Sequence, residues 1–152
     1  MTYQENYQKW VDFADLPDYL RQDLENMDEK TKEDAFYTNL EFGTAGMRGL
    51  IGAGTNRINI YVVRQATEGL ARLIESKGGN EKERGVAIAY DSRNFSPEFA
   101  FESAAVLAKH GIKSYVFESL RPTPELSFAV RHLNCFAGIM ITASHNLSLI
   151  HI

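Results

Sequence analysis

An apolar run, Phe136 to Ile141, ends abruptly in Thr142-Ala143-Ser144-His145-Asn146. The run has strand length and is interrupted only by Gly138, so it reads as a buried strand. In an α/β sheet, ligands sit just past the carboxyl ends of strands. A serine there, between Ala143 and His145, presents its hydroxyl with little steric cover. Ser, His and Asn are also ordinary turn residues, so local chemistry alone leaves a plain loop equally open. A second cluster, Phe42-Gly-Thr-Ala-Gly-Met-Arg-Gly49, has glycines at 43, 46 and 49. Such glycines let the backbone turn tightly and bring its amides to an anion. Arg48 can then add paired hydrogen bonds to a phosphate. This loop has neither the dinucleotide-binding nor the P-loop spacing, and by itself a structural hairpin explains it. The third cluster, Asp91-Ser92-Arg93, follows the apolar run Gly85 to Tyr90 and repeats the order strand, polar turn, helix. A salt bridge in a capped turn accounts for Asp91 and Arg93 as well as a supporting role does.

The elements that must position these clusters follow from periodicity. From Asn59, an N-cap, a helix runs to about Lys77, with Ile60, Val63, Thr67, Leu70 and Ile74 on one stripe and Gly78-Gly79 as its stop. Arg64 and Arg72 fall off that stripe and read as solvated. Gly85 to Tyr90 is apolar on both faces, as a covered parallel strand should be. Ser96-Pro97 opens the next helix, to His110, and Ile112 to Phe117 is the following strand. Thr123 and Pro124 then start the helix that leads back to the serine strand, while His110 and His132 stand at helix ends. Helices alternate with strands, which gives a three-layer α/β domain.

Before residue 40 the chain reads as three helices: Tyr3 to Phe13, one capped at Asp15 and running to about Met27, and one starting near Thr31. They carry no evident chemistry and are expected to pack on the outside of the main domain. Residues 1–42 hold 4 Lys+Arg against 11 Asp+Glu, whereas the remainder holds 12 against 9. The motif-bearing part is thus mildly basic, suited to an anionic substrate and too weakly charged for a nucleic-acid footprint. No run approaches membrane-span length and no signal-peptide pattern opens the chain, so a cytoplasmic location is expected. Cys135 is alone and reads as a small buried hydrophobe.

Thr142-Ala-Ser-His-Asn146 resembles the active-site serine loop of the α-D-phosphohexomutases, the family of phosphoglucomutase and phosphomannomutase. Phe42 to Gly49, Tyr90-Asp-Ser-Arg-Asn-Phe-Ser96 and Arg121-Pro-Thr-Pro-Glu-Leu126 resemble three further motifs of that family, in its order. The resemblance implies an N-terminal helical extension (1–39) and the first of the family's four domains (40–146), an α/β/α unit with a mixed, mostly parallel sheet. It implies Ser144 as phosphoryl carrier, His145 and Arg48 beside the reacting group, Thr44 and Asn146 as phosphate-binding residues, and Asp91, Arg93 and Thr142 as supports. Mg²⁺ would bind the phosphate on Ser144 together with aspartates of a later domain, and glucose 1,6-bisphosphate would act as activator. The implied substrate is a sugar phosphate, glucose 1- and 6-phosphate first, with pentose or mannose phosphates as alternatives. A serine hydrolase fits less well, because residues 142 and 146 are Thr and Asn where the nucleophile elbow has glycines. A non-catalytic phosphate-binding module is the other alternative. Leu147-Ser-Leu-Ile-His-Ile152 lacks the proline, Tyr-Asn-Gly-like turn and lysine that the family places there. It matches the in-frame translation of a transposon-end adapter used in sequencing libraries, which marks 147–152 as a tail outside the native fold. Such a chain, an N-terminal piece of the enzyme, is expected to be inactive alone.

Overall fold

The computed structural model describes residues 2–41, 46–90, 95–117, 123–144 and 147–151. Three short helices come first: α1 (Tyr3–Val11), α2 (Asp18–Glu25) and α3 (Glu29–Phe36). Thr2 caps α1 by accepting from the Glu5 amide, and Asp28 caps α3 by accepting from the Thr31 amide. Helix α2 begins later than its Asp15 signal suggests, because Pro17 takes the cap position and its carbonyl accepts from the Leu20 and Arg21 amides. The three helices share a small core of Leu16, Leu20, Leu24, Ala35 and Phe36, closed by Ala53 of the main domain. Tyr7 and Trp10 meet Phe36 edge to face, and Trp10 also meets Tyr61. The extension therefore packs on the main domain as expected.

Strand β1 (Met47–Leu50) leads through turns to α4 (Ile60–Lys77), the one-turn helix α5 (Glu81–Arg84) and β2 (Val86–Tyr90). Helix α6 (Ser96–Lys109), β3 (Ser114–Val116), α7 (Thr123–His132), β4 (Ala137–Ser144) and β5 (Leu147–His151) complete the chain. The sheet order is β1-β5-β4-β2-β3. Strand β2 is parallel to β3 and β4, whereas β5 is antiparallel to both β4 and β1. The mixed sheet and the three layers agree with the expected class.

Alternation along β2 explains the layering. Val86, Ile88 and Tyr90 join the large core with α4 and α6. Ala87 and Ala89 face the other way, with Leu126, Cys135 and Met140. That second side is built of small residues, which lets α7 approach closely. At Gly138 an added Cβ would sit 2.7 Å from Val130 Cγ2. Burial also pushes the Cys135 thiol up, consistent with an inert packing role.

Several local readings differ. The charged residues 81–84 between α4 and β2 form the one-turn helix α5. Ser96 does not cap α6; Phe95 holds the cap position with φ 70, and Ser96 is the first helical residue, its Oγ buried without a partner among the described residues. Arg64 is not simply solvated, since its Nε and Nη2 bind both oxygens of Glu102 at 2.7 and 3.1 Å. His110 sits between Glu68 and Glu75 of α4, with Nε2 2.6 Å from Glu68 Oε2. The largest difference is at the serine strand. It does not stop at Ile141 but continues as backbone to Ser144, because β5 pairs with it from Met140↔His151 to Ser144↔Leu147. Leu147–His151, which the sequence marks as a non-native tail, lie between β4 and β1 in the sheet.

Candidate functional site

The site is defined by register. Strands β2 and β4 run in parallel with Tyr90 opposite Ile141, so their carboxyl ends reach the same edge of the sheet. On the other flank Arg48 is opposite Leu149, and Leu149 is opposite Thr142. Being antiparallel to β5 as β4 is, β1 runs in the same direction as β4. Arg48 and Thr142 thus stand level, two strand spacings or roughly 10 Å apart between Cα atoms. Ser144 is opposite Leu147, which is opposite Leu50. The Arg48 side chain is exposed, whereas Met47 before it is buried in the main core. Alternation along β1 therefore holds the strand by Met47 and leaves the guanidinium to solvent.

Of the residues singled out in the sequence, the structure brings Arg48, Thr142 and Ser144 to one end of the sheet. Thr44, Asp91, Arg93, His145 and Asn146 lie outside the described residues. The ends of the described chain next to them are nonetheless fixed: Tyr90 beside Ile141, and Met47 and Leu50 in β1.

What holds β1 was only partly visible beforehand. Residues 51–59 close on themselves, with the Ile58 amide donating to Leu50 O at 2.8 Å and the Gly52 amide to Ile58 O at 3.1 Å. Asn59, 2 % exposed, does more than cap α4. Its Oδ1 accepts from the Tyr61 and Val62 amides at 3.1 and 3.0 Å, while its Nδ2 donates to both Gly52 O and Gly54 O at 2.9 Å. Gly54 has φ 133, and a Cβ there would lie 2.6 Å from Ala35 O, so the close approach of α3 requires glycine. Ahead of the glycine-rich loop, the Leu40 amide donates to Thr55 O at 2.9 Å. A cavity of about 140 Å³ lies beside it, between Asn39, Leu40, Met47, Val62 and Gln65. A larger one, about 220 Å³, sits away from the site between Trp10, Phe13, Leu16 and Tyr61.

No three His, Cys, Asp or Glu side chains gather into a metal-binding group among the described residues. Among the same residues no helix is long and apolar enough to cross a membrane.

Comparison with known proteins bears on the same region. A family model described as phosphoglucomutase/phosphomannomutase, alpha/beta/alpha domain I, matches residues 39–148. A phosphoglucomutase of Staphylococcus epidermidis (strain ATCC 35984) is 42% identical over 137 residues, 90% of this chain and 24% of that protein. One of Staphylococcus aureus (strain bovine RF122) is 48% identical over 115 residues, 76% of this chain and 20% of that protein. A crystal structure assigned to a phosphomannomutase from Thermus thermophilus superposes with a TM-score of 0.64 at 32% identity, covering 75% of this chain and 25% of that one. The chain thus spans about a quarter of the length of the relatives it matches. It belongs to the phosphoglucomutase/phosphomannomutase family and carries that family's α/β/α domain I over residues 39–148.

Proposed function

We propose that this chain supplies the phosphoryl-carrying domain of a phosphoglucomutase, which interconverts glucose 1-phosphate and glucose 6-phosphate. The observation that carries the reading is the match of residues 39–148 to the family's domain I, together with the parallel pairing of β2 and β4 that brings their carboxyl ends to one end of the sheet. In this reading Ser144 bears a phosphoryl group. A sugar hydroxyl attacks the phosphorus, a bond from phosphorus to the sugar oxygen forms, and the bond to Ser144 Oγ breaks. The proton of the sugar hydroxyl is the one the departing Ser144 oxygen needs, so the step leaves a bisphosphate and a free serine. After the bisphosphate turns round, its other phosphoryl group returns to Ser144 by the same exchange. Arg48 offsets the charge on the transferring oxygens, His145 stands beside them as a donor, Thr44 and Asn146 bind phosphate, and Asp91, Arg93 and Thr142 brace the loops.

The described residues do not by themselves make a Mg²⁺ site; in this reading the phosphate on Ser144 and carboxylates of a later domain would hold the ion, which would offset charge on the transferring oxygens. Positioning and remote binding supply much of the rate in phosphoryl transfer. A chain spanning a quarter of its relatives is therefore proposed to be inactive by itself. The sugar phosphate is its partner, with glucose 1,6-bisphosphate as activator. The likeness to a protein assigned as a phosphomannomutase supports mannose phosphates as the second choice of substrate.

Two experiments test the reading. In an intact enzyme containing this domain, Ser144→Ala should abolish turnover in a coupled glucose 1-phosphate assay while leaving the fold unchanged. Retention of a tenth of the activity removes Ser144 as the carrier. Residues 1–152 alone should show no turnover above their own Ser144→Ala variant, and measurable turnover overturns the assignment of inactivity.

A further inference from the structure

The 51–59 segment that anchors β1 is gripped from outside the domain by the helical extension. Asp23 of α2 reaches it with Oδ2, which accepts from the Ala53 amide at 2.7 Å. The fit is tight, since a Cβ at Gly52 would lie 2.9 Å from the same oxygen. Asp34 of α3 pairs with Arg57 Nη2 at 2.7 Å, and its carbonyl accepts from Asn56 Nδ2 at 3.0 Å. The Asn56 amide donates to Ala35 O at 2.9 Å, and Thr55 Oγ1 donates to Thr38 O at 2.7 Å. Through the Ile58 amide on Leu50 O, this segment in turn holds the end of β1, two residues from Arg48.

We propose that Asp23 is a positioning residue: the extension uses its carboxylate to fix the 51–59 segment and thereby the strand from which Arg48 reaches a phosphate. The proposal rests on the reading of Arg48 as a phosphate-binding residue. Asp23 touches no reacting group in this scheme. Its effect passes through the Ala53 amide, the closed 52–58 turn and β1. A carboxylate suits the task because it accepts strongly from a backbone amide.

The test uses residues 1–152, titrated with glucose 6-phosphate while the Arg48 side-chain and backbone resonances are followed, together with amide exchange at Gly52 and Ile58. Asp23→Ala should speed exchange at both amides and weaken the Arg48 response at least about threefold, at a temperature where the variant is fully folded. Asp23→Asn keeps an acceptor oxygen and should restore both readouts. A merely stabilising carboxylate would lower the unfolding midpoint without moving the dissociation constant of the folded protein. If Asp23→Ala does not fold, Gly52→Ala displaces the same hydrogen bond from the loop side and should weaken the Arg48 response likewise. A wild-type response that survives loss of the Asp23–Ala53 bond overturns the proposal alone. Absence of any Arg48 response in the wild type overturns the phosphate reading and the proposal with it.

Discussion

Replacing Asn59 by alanine should be among the most damaging single changes in the main domain. The side chain is buried and uses both ends. Its oxygen caps α4 on two amides, and its nitrogen satisfies the carbonyls of Gly52 and Gly54. Loss of such a cap costs about 1 kcal/mol. Leaving one part-buried and one buried carbonyl without a donor adds about 1 kcal/mol each. The total is about 3 kcal/mol, and nothing nearby can replace the side chain without moving the turn. For a chain of this size the urea dependence is about 2 kcal/mol per molar, so the unfolding midpoint should fall by about 1.5 M. Asn59→Ser restores the cap oxygen but not the reach to the two carbonyls, and should recover about a third of the loss. Urea titrations followed by far-UV circular dichroism measure all three proteins. A fall of less than about 0.5 M for Asn59→Ala would show that water replaces the lost bonds, and the account of the 51–59 turn would be wrong.

His110 gives a pH prediction. Hydrogen bonds to Glu68 and then Glu75 raise its pKa above the ordinary 6.5, and the bond from His110 holds Glu68 below its ordinary 4.5. The histidine contribution is fully present below pH 6.5 and is lost as pH rises through the higher folded value. The Glu68 contribution is present above pH 4.5 and is lost as pH falls through the lower folded value. Urea midpoints should therefore decline as pH rises above 6.5 more steeply in the wild type than in His110→Gln, and parallel curves refute the clamp. Two glycines should behave oppositely. Gly54→Ala meets Ala35 O and a φ of 133, and should cost about 3 kcal/mol or more. Gly69→Ala, in open space on α4, should raise stability by about 0.5 to 1 kcal/mol; equal thermal shifts would contradict both assignments. Arg48→Ala should leave the unfolding free energy unchanged within about 0.5 kcal/mol while removing the glucose 6-phosphate response, and a large stability loss would make it a structural arginine.

What could be read from the sequence was what local chemistry decides. Asn59 as a cap, Gly78 as a left-handed stop at φ 71 and the doubly apolar β2 all follow from a few neighbouring residues. The grip of Asp23 and Asp34 on residues 53–57 joins positions that lie far apart in sequence, and no local pattern announces it. The continuation of β4 to Ser144 escaped for a related reason. Thr142 and Ser144 look like loop residues until a partner strand supplies their hydrogen bonds. Ser96-Pro97 is a sound helix-start signal, yet the aromatic packing of Phe95 moved the cap by one residue. For the candidate site, the motifs singled out Arg48 and Ser144, but only the register shows β1 and the end of β4 level across the sheet.

Phe95 carries a consequence for how this protein can change over generations. A non-glycine residue at φ 70 costs roughly 1 to 2 kcal/mol. Stacking on Tyr19 of α2 at 5.4 Å and on Phe99 at 6.0 Å offsets it. While Tyr19 is present, glycine at 95 gains an easier backbone but forfeits the stack. Once Tyr19 is gone, the strain has lost much of its compensation and glycine becomes the better residue. The two positions therefore form an epistatic pair that joins the extension to α6. A lineage that replaces Tyr19 first is drawn toward glycine at 95, whereas one that meets glycine first bears the cost at once and rarely keeps it.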